Sequence, residues 1–281
     1  MPSISFVAVG DLLVDVICEQ EAPVSPKRVH APVTIRAGGS AANAAVWASA
    51  LGASATVVGR VGCDVPGELV ERGLTDRGIE ARLSRDPERT TGVAVALGSS
   101  VVAWPGASAK LAPEDIPEPL TGDALLVSGF SLFQADSAAG SRAALERFEG
   151  RWVAVDLASP RLSGPVDLDE LCSGANVVLA TADEARAVTG VEPEEAVREL
   201  AARFELACVK LGERGALAAE GRHVVRAQAD AVVRRSRFGA GDAFAAALLV
   251  SLGNGQSIDQ ALDRACATGA RAAASRDGWP E

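Results

Sequence analysis

The residues best placed to do chemistry lie in one run, Phe238-Gly239-Ala240-Gly241-Asp242-Ala243-Phe244, which continues into Ala245 to Val250. Two glycines and an alanine precede an aspartate, and good helix formers follow, so a helix is expected to open at the glycines. Small residues there let a ligand approach the backbone. The free N–H groups and the positive end of the helix dipole favour an anion. Asp242 looks misplaced in such a site, because a carboxylate repels phosphate. It fits if it takes the proton from a hydroxyl that attacks the phosphorus. Taken alone, the run also reads as a plain glycine-led helix start with Asp242 in its first turn.

Two more polar groups fall where strands are expected to end. Asp15 follows the first strand, and Asn43 lies in the first turn of a second glycine-led helix, Ala37-Gly38-Gly39-Ser40-Ala41-Ala42-Asn43. Gly38 and Gly39 admit a ligand to the backbone, while Asp15 and Asn43 can hydrogen-bond hydroxyls. Each polar residue by itself also reads as an exposed turn acid or a helix-start residue. In open parallel sheets, ligands bind at the carboxyl ends of the strands, where these groups would converge with Asp242.

The elements that must position them follow from the hydrophobic pattern. Strands are expected over 4–9, 12–17, 28–36, 55–61, 124–128, 152–156, 177–179 and 207–211, and helices over 44–51, 68–77, 138–148, 182–188, 194–204, 244–252 and 258–274. A β-rich connection over 215–233 leads to the glycine run. The alternation of strand and helix predicts an α/β fold with a mostly parallel sheet flanked by helices. The stretch 91–104 breaks the rhythm and reads as a hairpin. With the strands before Gly38 it would make a small β-sheet lid, from segments about 15–36 and 90–105, on a single domain over 1–281. The other reading is a decorated edge of the main sheet.

Composition narrows the class. A formal net charge of −10 argues against nucleic acid and anionic membranes as partners. Cys18, Cys63, Cys172, Cys208 and Cys266 are scattered, and with His30 and His223 as the only histidines they give no zinc spacing. That pattern fits reduced thiols in the cytoplasm. The N-terminus has no signal-peptide pattern, and no apolar run reaches the length of a membrane span.

The two glycine runs together resemble the ribokinase-like, or PfkB, family of carbohydrate kinases. The first is Gly38-Gly39-Ser40-Ala41-Ala42-Asn43-Ala44-Ala45, followed at the family's spacing by Leu51-Gly52 and by Gly59-Arg60-Val61-Gly62-Cys63-Asp64-Val65-Pro66-Gly67. The second is Gly239-Ala240-Gly241-Asp242-Ala243-Phe244. Between them, Lys210-Leu211-Gly212-Glu213-Arg214-Gly215 is similar to the family's nucleotide-binding turn. The likeness covers essentially the whole chain. It implies a ribokinase-like fold and transfer of a phosphoryl group from ATP, with Mg2+, to a hydroxymethyl group of a sugar. It implies Asp242 as base, and the N–H groups of Gly239, Ala240 and Gly241 as the anion hole. It implies Asp15, Gly38, Gly39 and Asn43 as sugar contacts, and Lys210, Gly212, Gly215 and Thr181 near the nucleotide. Glu184 would organise magnesium through water. The chain has no Gly-x-x-x-x-Gly-Lys-Ser/Thr loop, so a P-loop does not bind the nucleotide.

The chain departs from the family in places. Thr181 stands where asparagine is usual, and Ser236-Arg237 where an Asp-Thr pair is usual. The latter, with the early end at Trp279-Pro280-Glu281, argues against activation by a monovalent cation; Arg237 would supply a fixed charge instead. Leu13 replaces an asparagine common in ribokinases, which argues against ribose. Trp104 and Phe130 are candidates for stacking on a sugar or base, and Arg161 for a phosphate or a sugar carboxylate; each also reads as ordinary packing or surface. The acceptor stays open among pentoses, hexoses and keto-deoxy sugar acids. A nucleoside kinase of the same family and a non-catalytic sugar- or nucleotide-sensing homologue are the alternatives. A homodimer through the lid edge is a further expectation.

Overall fold

The computed structural model describes residues 3–18, 30–97, 100–157, 167–236 and 238–280. Runs of small and β-branched apolar residues form the strands of a nine-stranded sheet. In chain order they are β1 (Ser5–Val9), β4 (Ser54–Gly62), β5 (Glu80–Asp86), β9 (Ala124–Ser128), β11 (Trp152–Asp156), β12 (Val177–Thr181), β13 (Leu206–Lys210), β14 (Ala216–Glu220) and β15 (His223–Ala227). The order across the sheet is β15-β14-β13-β12-β11-β9-β1-β4-β5. The pairs from β13 to β5 are parallel, and β14 and β15 add an antiparallel edge.

Alternation along the central strands divides the core between the two faces of the sheet. Phe6, Ala8, Ala124 and Leu126 face one apolar layer, whereas Val7, Val9, Leu125 and Val127 face the other. The first layer is covered by helices α1 (Ser40–Ala50), α8 (Ala240–Gly253) and α9 (Ile258–Ala274). Over Ala41–Ala48 and Ala243–Leu252, α1 and α8 are buried all round, as expected of alanine-rich helices with no polar stripe. The second layer is covered by α4 (Ala138–Arg147) and α7 (Pro193–Ala201). Two further helices sit at turns into the sheet. Helix α2 (Val65–Thr75) is capped by Asp64, and α6 (Ala182–Thr189) is capped by Thr181 and closed by Gly190.

A separate four-stranded sheet projects from this body. Its strands are β2 (Leu13–Cys18), β3 (Val33–Gly38), β6 (Thr91–Leu97) and β7 (Ser100–Gly106), in the order β3-β2-β6-β7. β2 and β6 are parallel, while the outer pairs are antiparallel. The remaining short elements are β8 (Leu120–Thr121), β10 (Phe148–Glu149), α3 (Gly129–Leu132) and α5 (Leu168–Leu171).

Several boundaries differ from the sequence reading. The strand expected over 28–36 runs from Val33 to Gly38, and residues 28 and 29 lie outside the described part. The helix expected over 244–252 begins four residues earlier, at Ala240, because the glycines are part of its first turn. Strand β5 was not anticipated: its sequence, EARLSRD, is largely polar, as suits an edge strand.

Phe6 sits in central strand β1 with no exposed surface. Phe6→Ala should therefore lower the unfolding free energy by about 3–5 kcal/mol, read from urea denaturation.

Candidate active site

The carboxyl ends of β1, β9, β11, β12 and β13 open on one edge of the sheet. The chain turns there from the β4 side of β1 to the β9 side, the place where open parallel sheets bind ligands. Asp11 follows β1, Asp156 ends β11, and Thr181 and Lys210 end β12 and β13, opposite each other in register. The N-termini of α1 and α8 face the same edge.

Gly239 takes a left-handed conformation, φ +84°, just before α8. The first intrahelical bond runs from the Ala243 N–H to the Gly239 carbonyl, at 2.8 Å. The N–H groups of Ala240, Gly241 and Asp242 therefore have no acceptor within the helix. A Cβ built on Gly241 would meet only the Lys210 Nζ, at 3.5 Å. The helix start is thus an open nook with an ammonium beside it. Ser236 braces this turn: its hydroxyl accepts from the Phe238 N–H at 3.1 Å, and its own N–H donates to Ala273 of α9.

Lys210, half-buried, pairs with Asp156, with Nζ at 2.7 and 2.6 Å from the two carboxylate oxygens. Burial pulls its pKa down, but Asp156, Glu184 and Asp242 more than offset this, and the ammonium is held above its ordinary range. A cleft of about 720 Å³ opens from this point. Thr181, Lys210, Gly212, Gly215, Ala240 and Gly241 are among its walls. The sequence-selected nucleotide residues are therefore gathered on one cavity, of a size suited to a small-molecule ligand. Glu184 is not among the walls. Its Oε2 accepts from the Thr181 N–H at 2.8 Å, while the Thr181 hydroxyl accepts from the Glu184 N–H, a reciprocal helix cap. Burial raises the Glu184 pKa, and Lys210 lowers it. Among the described residues no three Asp, Glu, His or Cys side chains converge as a metal cage. A magnesium held through water and phosphate oxygens needs no such cage.

On the other side of Asp242 lie Asn43, Asp15, Arg36 and Trp279. Asn43 Nδ2 donates to Asp242 Oδ2 at 2.9 Å. Asn43 Oδ1 accepts from Trp279 Nε1 at 2.7 Å and from Arg36 Nη1 at 3.0 Å. Arg36 Nη2 is 2.9 Å from Asp15 Oδ2, yet that oxygen has no aligned hydrogen-bond partner, so the contact is one of charge alone. Burial raises Asp242 from an ordinary 3.8 to about 7; the Asn43 bond and Lys210 oppose the rise, and Asp156 and Asp11 add to it. Asp15 is likewise pushed to about 7 by burial, against the pull of Arg36. Asp11 accepts from the Ser40 N–H at 2.9 Å and the Ser128 hydroxyl at 2.7 Å, fixing the start of α1.

The glycine pair has a tighter duty than ligand access. A Cβ on Gly38 would lie 2.2 Å from the Asp15 carboxyl group, and one on Gly39, at φ +92°, 2.3 Å from the Asp11 carbonyl. Both glycines let the chain press against the two acids. Trp104 lies on edge strand β7, 64 % exposed, and Phe130 follows β9, 39 % exposed. Arg161 and Arg237 lie outside the described residues. The sequence reading missed Asp11, Asp156, Arg36 and Trp279. A charged residue closing a buried strand was the available signal for the first two. Trp279, 236 positions from its partner Asn43, offered none.

This sheet, with its crevice and small second sheet, is a ribokinase-like fold. It superposes on a fructokinase from Vibrio cholerae, solved with fructose, ADP and calcium ion, with a TM-score of 0.81 and 27 % identity over 98 % of this chain and 94 % of that one. The chain is 30 % identical to a fructokinase from Klebsiella pneumoniae, covering 86 % of this chain and 82 % of the relative. It is 27 % identical to a 5-dehydro-2-deoxygluconokinase from Listeria monocytogenes serotype 4b, over 80 % and 77 %. The profile of pfkB family carbohydrate kinases matches residues 3–278, and the chain belongs to that family. It is accordingly a sugar kinase, an ATP-dependent phosphotransferase with an alcohol group as acceptor.

The raised Asp15 pKa has a consequence for stability. Its contribution is fully present below pH 3.8 and is lost as pH rises through about 7, where the buried carboxyl must ionise. Asp15→Asn, of similar shape but unable to ionise, should flatten that loss. The check is the difference in unfolding free energy between the two proteins, measured at pH 4 to 8.

Proposed function

We propose that the chain transfers the γ-phosphate of ATP to a hydroxymethyl group of a sugar, with a hexose or a keto-deoxy sugar acid as acceptor. The observation that carries this reading is the position of Asp242. It is a half-buried carboxylate with a pKa near neutrality, directly beside N–H donors at the start of α8 and within reach of the Lys210 charge. Such a group is suited to take the proton of an attacking hydroxyl. The N–H groups of Ala240 and Gly241 and the turn at Gly239 then receive the phosphoryl oxygens, and Lys210 adds a fixed positive charge. Thr181, Gly212 and Gly215 line the cleft for the rest of the nucleotide. Magnesium, when bound with the phosphates, neutralises their charge, and Glu184 stands near enough to Lys210 and Asp156 to hold a water of its shell.

On the acceptor side, the unpartnered Asp15 Oδ2 is an acceptor that a sugar hydroxyl would complete. Gly38, Gly39 and Asn43 shape the same wall. The names of the relatives, fructokinase and 5-dehydro-2-deoxygluconokinase, support the choice of acceptor class. Phe130 is assigned to the rim, where a sugar face would stack; Trp104, paired with Val93 on the face of the small sheet turned away from Asp15, is not.

The four-stranded sheet acts as the lid. Asp15 and Arg36 lie on one of its faces, opposite each other in register. The other face carries Val33, Ile35, Leu97, Val102 and Trp104, all exposed. An apolar face of this kind supports association of two copies through the lid.

The test is ADP release with ATP and magnesium across ketoses, aldoses, keto-deoxy acids and nucleosides. Asp242→Asn should lower turnover roughly 10²–10⁴-fold on the active sugar and leave ATP binding nearly unchanged. An inactive variant that has also lost ATP binding would assign Asp242 a structural role, and turnover on nucleosides alone would overturn the acceptor class. Because the base must be ionised, kcat/KM should hold above about pH 7 and fall as pH drops below it.

A further inference from the structure

The segment after α9 returns to the acceptor side of the site and wedges there. The Asp277 carbonyl accepts from Arg36 Nε at 3.1 Å and Nη2 at 2.7 Å, and the Gly278 carbonyl accepts from Trp47 Nε1 at 2.9 Å. Gly278, at φ +85°, fits only as glycine: a Cβ would lie 2.2 Å from the Phe238 carbonyl, in the turn that leads to Gly239. The Trp279 ring is 3 % exposed, with the Arg36 and Arg77 guanidinium carbons each 4.5 Å from its centroid.

The Trp279 N–H meets the far side of the amide that touches Asp242. A carboxamide rotates about its last bond, exchanging oxygen for nitrogen at almost constant shape. Turned over, Asn43 would set its oxygen against the Asp242 carboxylate and its NH2 against two donors. An indole N–H and a guanidinium have no acceptor to offer, so they exclude that orientation. Arg36 donates to Ala37, Asn43 and Asp277 and faces Asp15 through charge.

We propose that Trp279 is a positioning residue for phosphoryl transfer, its N–H fixing the Asn43 carboxamide so that Nδ2 donates to the Asp242 carboxylate. This rests on the reading of Asp242 as the base. The charges facing Asp242 from the neighbouring elements are Asp11 after β1, Asp156 on β11, Lys210 on β13 and Arg36 on β3. Of these Trp279 touches only Arg36, whose guanidinium stacks on its ring, and Trp279→Phe keeps a ring there while removing one neutral donor from Asn43. Donation to the carboxylate favours its ionised form, so weakening it raises the pKa of the base.

The experiment is the pH dependence of kcat/KM for the wild type, Trp279→Phe and Asp242→Asn, on the sugar that the wild type phosphorylates, with thermal melts alongside. Trp279→Phe keeps an aromatic ring beneath the guanidinium groups and loses the N–H. The acid limb should move upward by about half a pH unit or more. Turnover should fall several-fold below the limb and recover at high pH, with KM for ATP unchanged. An unmoved limb beside an inactive Asp242→Asn overturns the positioning role and leaves the base assignment standing. A fully active Asp242→Asn removes both. If Trp279→Phe does not fold, Trp279→Gly is supplied with indole or 1-methylindole, which differ in the N–H. Recovery with indole alone supports the role; equal recovery, or none with either, overturns it.

Discussion

The site depends on keeping buried carboxylates chargeable. Asp11, Asp15, Asp156 and Asp242 are brought to one edge of the sheet, the first three buried and Asp242 half-buried. Desolvation pushes Asp11, Asp15 and Asp242 towards their neutral forms. Two cations and one amide divide the load. Lys210 takes Asp156 on the side of the large cleft, Arg36 faces Asp15 on the other side, and Asn43 stands between Arg36 and Asp242. Asp11 is served by the first N–H of α1 and a serine hydroxyl. Removing one member of such a set strands its partner's charge, which costs more than the intact pair contributes.

The architecture makes this density of charge affordable. A three-layer fold places polar strand ends and helix starts along one rim, while the apolar faces of the same strands close the core behind them. Small residues do much of the fitting. Gly38 and Gly39 allow backbone contact with two acids, Gly241 leaves space before Lys210, and the alanines of α1 and α8 let both helices lie close to the sheet.

Much of this was legible in the order of residues. Strands Ala124–Ser128 and Trp152–Asp156 and helix Ile258–Ala274 have the bounds that hydrophobic periodicity gives them, because burial on known faces sets that periodicity. The glycine runs marked the helix starts. β5 was hidden by its charged residues. In the site, Asn43 and Asp242 were found through their place beside glycines, and Asp15 through its place after the first strand. Arg36 and Trp279 were not, since their importance arises from contacts between distant segments. Nothing local distinguishes a tryptophan that donates to Asn43 from one that fills space.

The 236-residue separation between Asn43 and Trp279 also bears on when the protein becomes competent. During synthesis at about 5–20 residues per second, Asn43 leaves the ribosome roughly ten to fifty seconds before its partner exists. Through that interval α1 can fold and the parallel strands can begin to pair, but the acceptor wall lacks its last segment. The nascent chain is therefore structured well before it has a finished site.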